Sequence, residues 1–143
     1  MEPRVLGACL AMASIALFVG SLFLRAFGTY PGMWALGLGW FQMFVVGSVG
    51  PFVAFAWLAN PLLLFSWIGV FVRAPRWPLP LAAAAFVLAG GFMFGSVALT
   101  SESGSAEPIG ARGAGYALWL ASTVCAVIAA ACARVPARPA RLR

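Results

Sequence analysis

Residues 5 to 24 read VLGACLAMASIALFVGSLFL without a single charge, and residues 33 to 72 again carry none. A charge at the centre of a bilayer is costly, whereas a soluble domain would scatter charges through stretches of this length. Runs of this kind cross a membrane or lie against one. At about 1.5 Å per residue the first run matches the roughly 30 Å hydrocarbon core of a bilayer. Arg25 closes it, and the bulky FLRAF around that arginine lacks the small-residue cleavage site of a signal peptide, so the run reads as a retained anchor.

Only 8% of the 143 residues are charged and 64% are hydrophobic, which places the chain in the membrane class. All nine basic residues are Arg, and Lys, Asp and His are absent. This composition reads as the codon bias of a GC-rich bacterial genome. The net charge of +6 does not point to nucleic acid, because the arginines sit at the edges of apolar runs and not on a solvated face.

Arginine placement sets the expected topology. Spans at about 5–25, 51–73, 79–100 and 114–133 put Arg4, Arg73, Arg76, Arg134, Arg138, Arg141 and Arg143 on one side, against Arg25 and Arg112 on the other. Seven against two fits the excess of basic residues in cytoplasmic loops. A fifth span at 33–49 would split that set. The expected fold is therefore all-α: a single polytopic domain over 1–143 in a bacterial inner membrane, with four transmembrane helices and both termini cytoplasmic. Residues 33–49 become an apolar annex on the outer side, interfacial or re-entrant, where Tyr30, Trp34 and Trp40 suit the headgroup level.

Three prolines in RAPRWPLP force a tight turn between the second and third spans, which makes them antiparallel neighbours. SESGSAEPIGARG, residues 101–113, is the one clearly soluble loop, and its Ser and Gly content argues for mobility. The basic tail 134–143 carries Arg134, Arg138, Arg141 and Arg143, which draw it toward anionic lipid at about 1 kcal/mol each.

The candidate chemistry is sparse. No span has an ionisable residue at its centre, so a proton relay lacks its usual groups. Arg25 snorkels from a span end. Nucleophilic catalysis needs a base beside the nucleophile, and the carboxylates Glu2, Glu102 and Glu107 lie on the terminus and the loop. Cys9, Cys125 and Cys132 have no metal-ligand spacing, and there is no imidazole. The sequence therefore predicts no catalytic residue, no metal and no cofactor. Small-residue rows are the clearer signal: Gly91/Gly95, Ala16/Gly20 and Ala126/Ala130 let helix backbones approach where lipid supplies no hydrophobic drive.

One feature of the second apolar region stands apart. FAWLANPLLLFSW, residues 55–67, places Asn60 and Pro61 near the middle of a span. Pro61 removes the helical bond to the Trp57 carbonyl, and at that depth both this carbonyl and the Asn60 amide require partners. Hydroxyls of Ser14, Ser21, Ser96, Ser122 or Thr123 are the expected donors. Asn60, Pro61, Trp57 and Ser66 make up the candidate polar kink or cavity. The WLANPLLL core and the hydropathy pattern resemble small four-span proteins of bacterial inner membranes, a resemblance that implies no activity. The expected partners are membrane lipid and other membrane subunits, or a second copy. The expected function is a non-catalytic accessory, assembly or scaffold subunit of a larger membrane complex, with a small transporter, channel or ligand-binding protein built on Asn60-Pro61 as the alternative.

Overall fold

The computed structural model describes residues 2–74, 76–100 and 106–134. The first helix, α1 (Pro3–Phe23), opens on a proline, which costs nothing in a first turn where the N–H has no helical partner. Leu24 is extended and ends it. A small hairpin follows, β1 (Arg25–Phe27) antiparallel to β2 (Tyr30–Pro31), turning at Gly28 with φ +50°.

The long uncharged region does not form one regular helix. It runs as α2 (Gly32–Leu38), a 3-10 stretch Gly39–Val45 and α3 (Val46–Val49). The chain then turns at Gly50, whose φ of +79° lies in the region glycine tolerates best. After it come α4 (Pro51–Ala54), a 3-10 turn Ala56–Leu58 and α5 (Ala59–Phe71). The final elements are α6 (Pro78–Gly91), a 3-10 turn Phe92–Phe94, the hairpin β3 (Val97–Leu99) with β4 (Ala106–Pro108), and α7 (Ala114–Ala133).

By length and apolar composition, Pro3–Phe23, Gly32–Val49, Pro51–Phe71 and Ala114–Ala133 are each sufficient to cross a membrane. Pro78–Phe94 is apolar but shorter. The chain is an all-α polytopic membrane protein. Its bundle consists of α1 along α7, α5 along α6, and α6 and α5 against α7. Bundle packing depends on small side chains: the core comprises Ala11, Ala59, Ala82, Ala85, Ala89, Ala126, Ala129 and Ala130 around Leu63, Trp67 and Val70. Close backbone approach provides the dispersion contacts that lipid cannot supply.

Hydroxyls and indoles stitch the bundle. Trp67 Nε1 of α5 donates to Ser14 Oγ of α1 at 2.9 Å, and Ser14 Oγ donates to the Ser122 carbonyl of α7 at 2.6 Å. Tyr116 of α7 donates to the Ala89 carbonyl of α6 at 2.9 Å. Gly7 of α1 packs on α7 near Ala133, and the Arg134 guanidinium donates to the Arg76 carbonyl. Arg4, Arg76 and Arg134 therefore share one end of the bundle. Arg25 and Arg112 lie at the other, where the Gly113 N–H bonds the Ala26 carbonyl.

A second core covers that far end. Phe27, Val49, Val53, Ala54, Ala56, Phe92, Ala98, Leu99, Ile109 and Tyr116 pack together there, drawn from both hairpins, α3, α4 and the tops of α6 and α7. The annex expected over 33–49 lies within Gly32–Val49, a stretch of spanning length built from three successive helical pieces. Gly32 lies against the Ser21 carbonyl at the end of α1, so close that a Cβ would sit 2.3 Å from it.

The expected helix over 79–100 is corrected: α6 ends at Gly91, and residues 97–99 are a strand. Gly90 and Gly91 weaken the helix there, and carbonyls of the 3-10 turn that follows it, and of Gly95, find a donor in the loop. The Arg112 guanidinium donates to the carbonyls of Phe92, Met93 and Gly95, and lies 5.7 Å from the Phe92 ring centroid. Cationic donors at a helix C-terminus satisfy such orphan carbonyls. The loop expected to be mobile contributes β4 to a hairpin, with Ile109 N–H bonded to the Ser96 carbonyl at 2.8 Å. Residues 101–105, including Glu102, lie outside the described residues.

Candidate functional site: a cavity between the bundle and its cap

Asn60-Pro61 falls where the cap chain enters the bundle. Pro61 sits in the first turn of α5, where its missing N–H removes no bond within that helix. The preceding turn is 3-10, and there the Ala59 N–H bonds the carbonyls of Ala56 and Trp57. The Trp57 carbonyl, which the proline deprives of its helical donor, is thus satisfied locally by a tighter turn.

The Asn60 side chain finds a partner of a different kind from the expected hydroxyls. Its Oδ1 accepts from Trp119 Nε1 of α7 at 3.0 Å. Four of those hydroxyls are occupied within the bundle: Ser21 on the Phe18 carbonyl, Ser122 on Trp119, Thr123 on Leu120 and Ser14 on Ser122. Short helical back-bonds are available to Ser and Thr without any neighbour, which is why most of these hydroxyls are spent locally.

A cavity of about 70 Å³ opens beside Asn60. Its walls are largely apolar and include the aromatic rings of Phe18, Phe27, Trp57, Phe92, Tyr116 and Trp119. Trp57 is fixed by its Nε1 donating to the Leu36 carbonyl of α2 at 2.7 Å. Gly39 makes room for that ring, because a Cβ there would lie 2.7 Å from Trp57 Cδ1. Ser21, Asn60 and Gln42 are also among the residues that line the cavity. Gln42 was not singled out by sequence reasoning. It is 5% exposed, and its Oε1 is buried without a hydrogen-bond partner. A signal was present: Asn60 and Gln42 are the only carboxamides in the chain, and both border this one space.

The other sequence candidates lie elsewhere. Ser66 is buried and donates to the Pro78 carbonyl at 2.9 Å, tying α5 to the start of α6. Pro61 is not part of the cavity wall. Gly91 and Gly95 are not one helical row, because Gly95 is extended and lies beyond the end of the helix. Each instead accommodates α4: a Cβ on Gly91 would lie 3.5 Å from Phe52, and one on Gly95 would lie 2.2 Å from Val53. Of the Ala16/Gly20 pair, Ala16 is exposed and only Gly20 faces α7, where a Cβ would lie 3.6 Å from Leu118 Cδ1. The buried seam of α1 is Gly7, Ala11, Ser14 and Ser21. Ala126 and Ala130 are both buried in α7. Arg134 meets Arg76, while Arg138, Arg141 and Arg143 lie outside the described residues.

Among the described residues no group of His, Cys, Asp and Glu is arranged to hold a metal. Glu107 lies at the surface, 3.4 Å from the Tyr30 hydroxyl that donates to it. Comparison with protein-family models, curated proteins and solved structures gave no match.

Proposed function

We propose that the protein is a non-catalytic membrane protein that binds a small uncharged molecule in the cavity beside Asn60. The observation that carries this reading is the convergence of the chain's two carboxamides on one aromatic-walled space. Small-molecule sites are mostly apolar concavities with a few placed polar groups, and this cavity has that composition. Its walls contribute no carboxylate and no basic side chain, so a charged guest would enter without a counterion. The proposed setting is a bacterial inner membrane with both termini cytoplasmic. Supporting that orientation, Arg4, Arg76 and Arg134 share one end of the bundle, the distribution that cytoplasmic loops favour.

The test is native mass spectrometry of gently extracted protein. Wild type is expected to retain a small-molecule mass that Ala35→Phe, which fills the cavity, does not retain; identical spectra from the two proteins would count against ligand binding. Asn60→Leu is expected to weaken retention in a protein that still folds.

A second reading, an accessory or scaffold subunit of a larger membrane complex, is favoured by one patch. Trp40, Phe41 and Phe44 are exposed and meet one another edge-on or tilted, with ring centroids 5.7 to 6.2 Å apart. Aromatic clusters are enriched where proteins meet. A photo-crosslinker at position 44 is expected to capture another membrane subunit or a second copy under this reading, and capture of lipid alone would remove it.

A further inference from the structure

Every hydroxyl and indole bordering the cavity has its hydrogen committed to the protein. Ser21 donates to the Phe18 carbonyl at 2.6 Å, Trp57 to the Leu36 carbonyl at 2.7 Å and Tyr116 to the Ala89 carbonyl at 2.9 Å. Trp119 donates to Asn60 Oδ1 at 3.0 Å, so Asn60 acts on this space by holding a ring of its wall. The Gln42 Oε1 is buried out of a guest's reach. A polar guest would have to compete with bonds already made, and burying its own polar group without a partner is costly.

A hydrocarbon guest meets no such obstacle. Between the rings the wall is carbon, from Leu22, Ala35, Leu36, Val53 and Ala56, and an apolar group there supplies dispersion contacts that the lining atoms of a void lack. The volume of about 70 Å³ is about half the roughly 150 Å³ of an engineered apolar cavity that stays dry and takes up benzene or xenon. All four segments of spanning length contribute to the walls: Phe18 from Pro3–Phe23, Ala35 from Gly32–Val49, Ala56 from Pro51–Phe71 and Trp119 from Ala114–Ala133. The site thus belongs to the part of the molecule that meets lipid, where apolar molecules concentrate.

We infer that the group held in the cavity is a hydrocarbon of about three or four carbons that makes no hydrogen bond to the walls. The inference rests on the ligand-binding reading above and adds the chemical class. Two sources present that group: a short free hydrocarbon, and a stretch of the chain of a bilayer lipid.

The experiment uses the full chain in phosphatidylcholine nanodiscs, observed through the indole N–H NMR signals of its six Trp residues. Trp57 and Trp119 border the cavity and report occupancy; Trp67, bonded to Ser14 inside the bundle, reports the fold. The free-ligand arm titrates three molecules of one branched shape, isobutene, acetone and acetamide, of which only isobutene has no hydrogen-bonding group. The lipid arm adds phosphatidylcholine with a photoreactive diazirine in one chain and maps the residues it labels.

For a free guest, isobutene is expected to shift Trp57 and Trp119 saturably and to bind at least about tenfold tighter than acetone or acetamide. For a lipid chain, the chain blocks isobutene, and the label is expected on Val53 or Ala56, cavity residues buried from lipid outside the protein. Either result supports the hydrocarbon guest, and which one occurs identifies the source. Ala35→Phe is expected to abolish the response while leaving the Trp67 signal in place; where that signal moves, the comparison of probes on the wild type decides alone. Saturable binding of acetone or acetamide as tight as that of isobutene would overturn the hydrocarbon inference and leave the ligand-binding reading standing. No saturable shift by any of the three, with no label on the cavity residues, would overturn both.

Discussion

Gly115→Val is expected to destabilise the protein by about 3 kcal/mol or more, the upper range for forcing a side chain into a filled space. A Cβ at Gly115 would lie 2.6 Å from the Leu24 carbonyl oxygen and 2.8 Å from that of Arg25. Both obstacles are backbone, and that backbone is held in place: Gly32 N–H bonds the Leu24 carbonyl at 2.9 Å, and β1 pairs with β2. Neither side can yield cheaply. Unfolding in mixed micelles by added SDS, followed by near-UV circular dichroism, measures the loss. Gly37→Ala is the matched control, because beyond its chain neighbours and the backbone of α2 itself nothing lies within 4 Å of its Cβ position. It is expected to be neutral or to gain up to about 1 kcal/mol from helix propensity. Equal behaviour of the two variants would mean that α7 does not dock on the α1–β1 junction as described.

Trp67→Ala is expected to cost about 3–5 kcal/mol by the same measurement, the usual range for deleting a buried aromatic side chain. Three contributions coincide at this residue. It belongs to the alanine-rich core, it meets Phe18 edge-on with ring centroids 5.5 Å apart, and its N–H bonds Ser14. Trp67→Phe removes chiefly the hydrogen bond and is expected to cost about 1–2 kcal/mol, within the range seen for polar contacts between membrane helices. Ser14→Ala breaks the same link and also the bond to the Ser122 carbonyl. The double variant should therefore lose less than the sum of the two singles, the mark of a shared network. Strict additivity would show that the α5–α1–α7 chain of bonds carries no coupling.

Much of the bundle was legible along the chain because its determinants are local and one-dimensional. Absence of charge over 5–24 and 114–133 reports the environment of each residue, and a bilayer forces such runs to be helical. The position of Asn60-Pro61 was legible for the same reason, since a proline and an amide in an apolar run each create a definite hydrogen-bonding demand. What meets that demand was not legible. Trp119 lies 59 residues away, and nothing in either local sequence distinguishes an indole donor from a nearby serine.

The small-residue rows show the limit from another direction. Gly91 and Gly95 have helical spacing, but whether the spacing matters depends on a helix continuing between them, and Arg112 ends that helix from across the loop. Gly7, Ala11 and Ser14 carry the true seam of α1, and only α7 lying beside them distinguishes that face from Ala16. Gln42 is the clearest case. On paper it is one amide in an uncharged segment, and only the fold buries it beside a space bordered by α1, α2, α5 and α7.

The sequence by itself determined that this protein is helical and lives in a membrane, because the cost of burying charge and unpaired backbone in lipid acts on each residue regardless of its neighbours. Only the tertiary structure decided where the chain leaves a cavity and which amide is buried beside it with its oxygen unpartnered. Cavities and hydrogen-bond partners are properties of surfaces brought together from distant segments, and in this protein the deciding surfaces meet at the junction of the bundle and its cap.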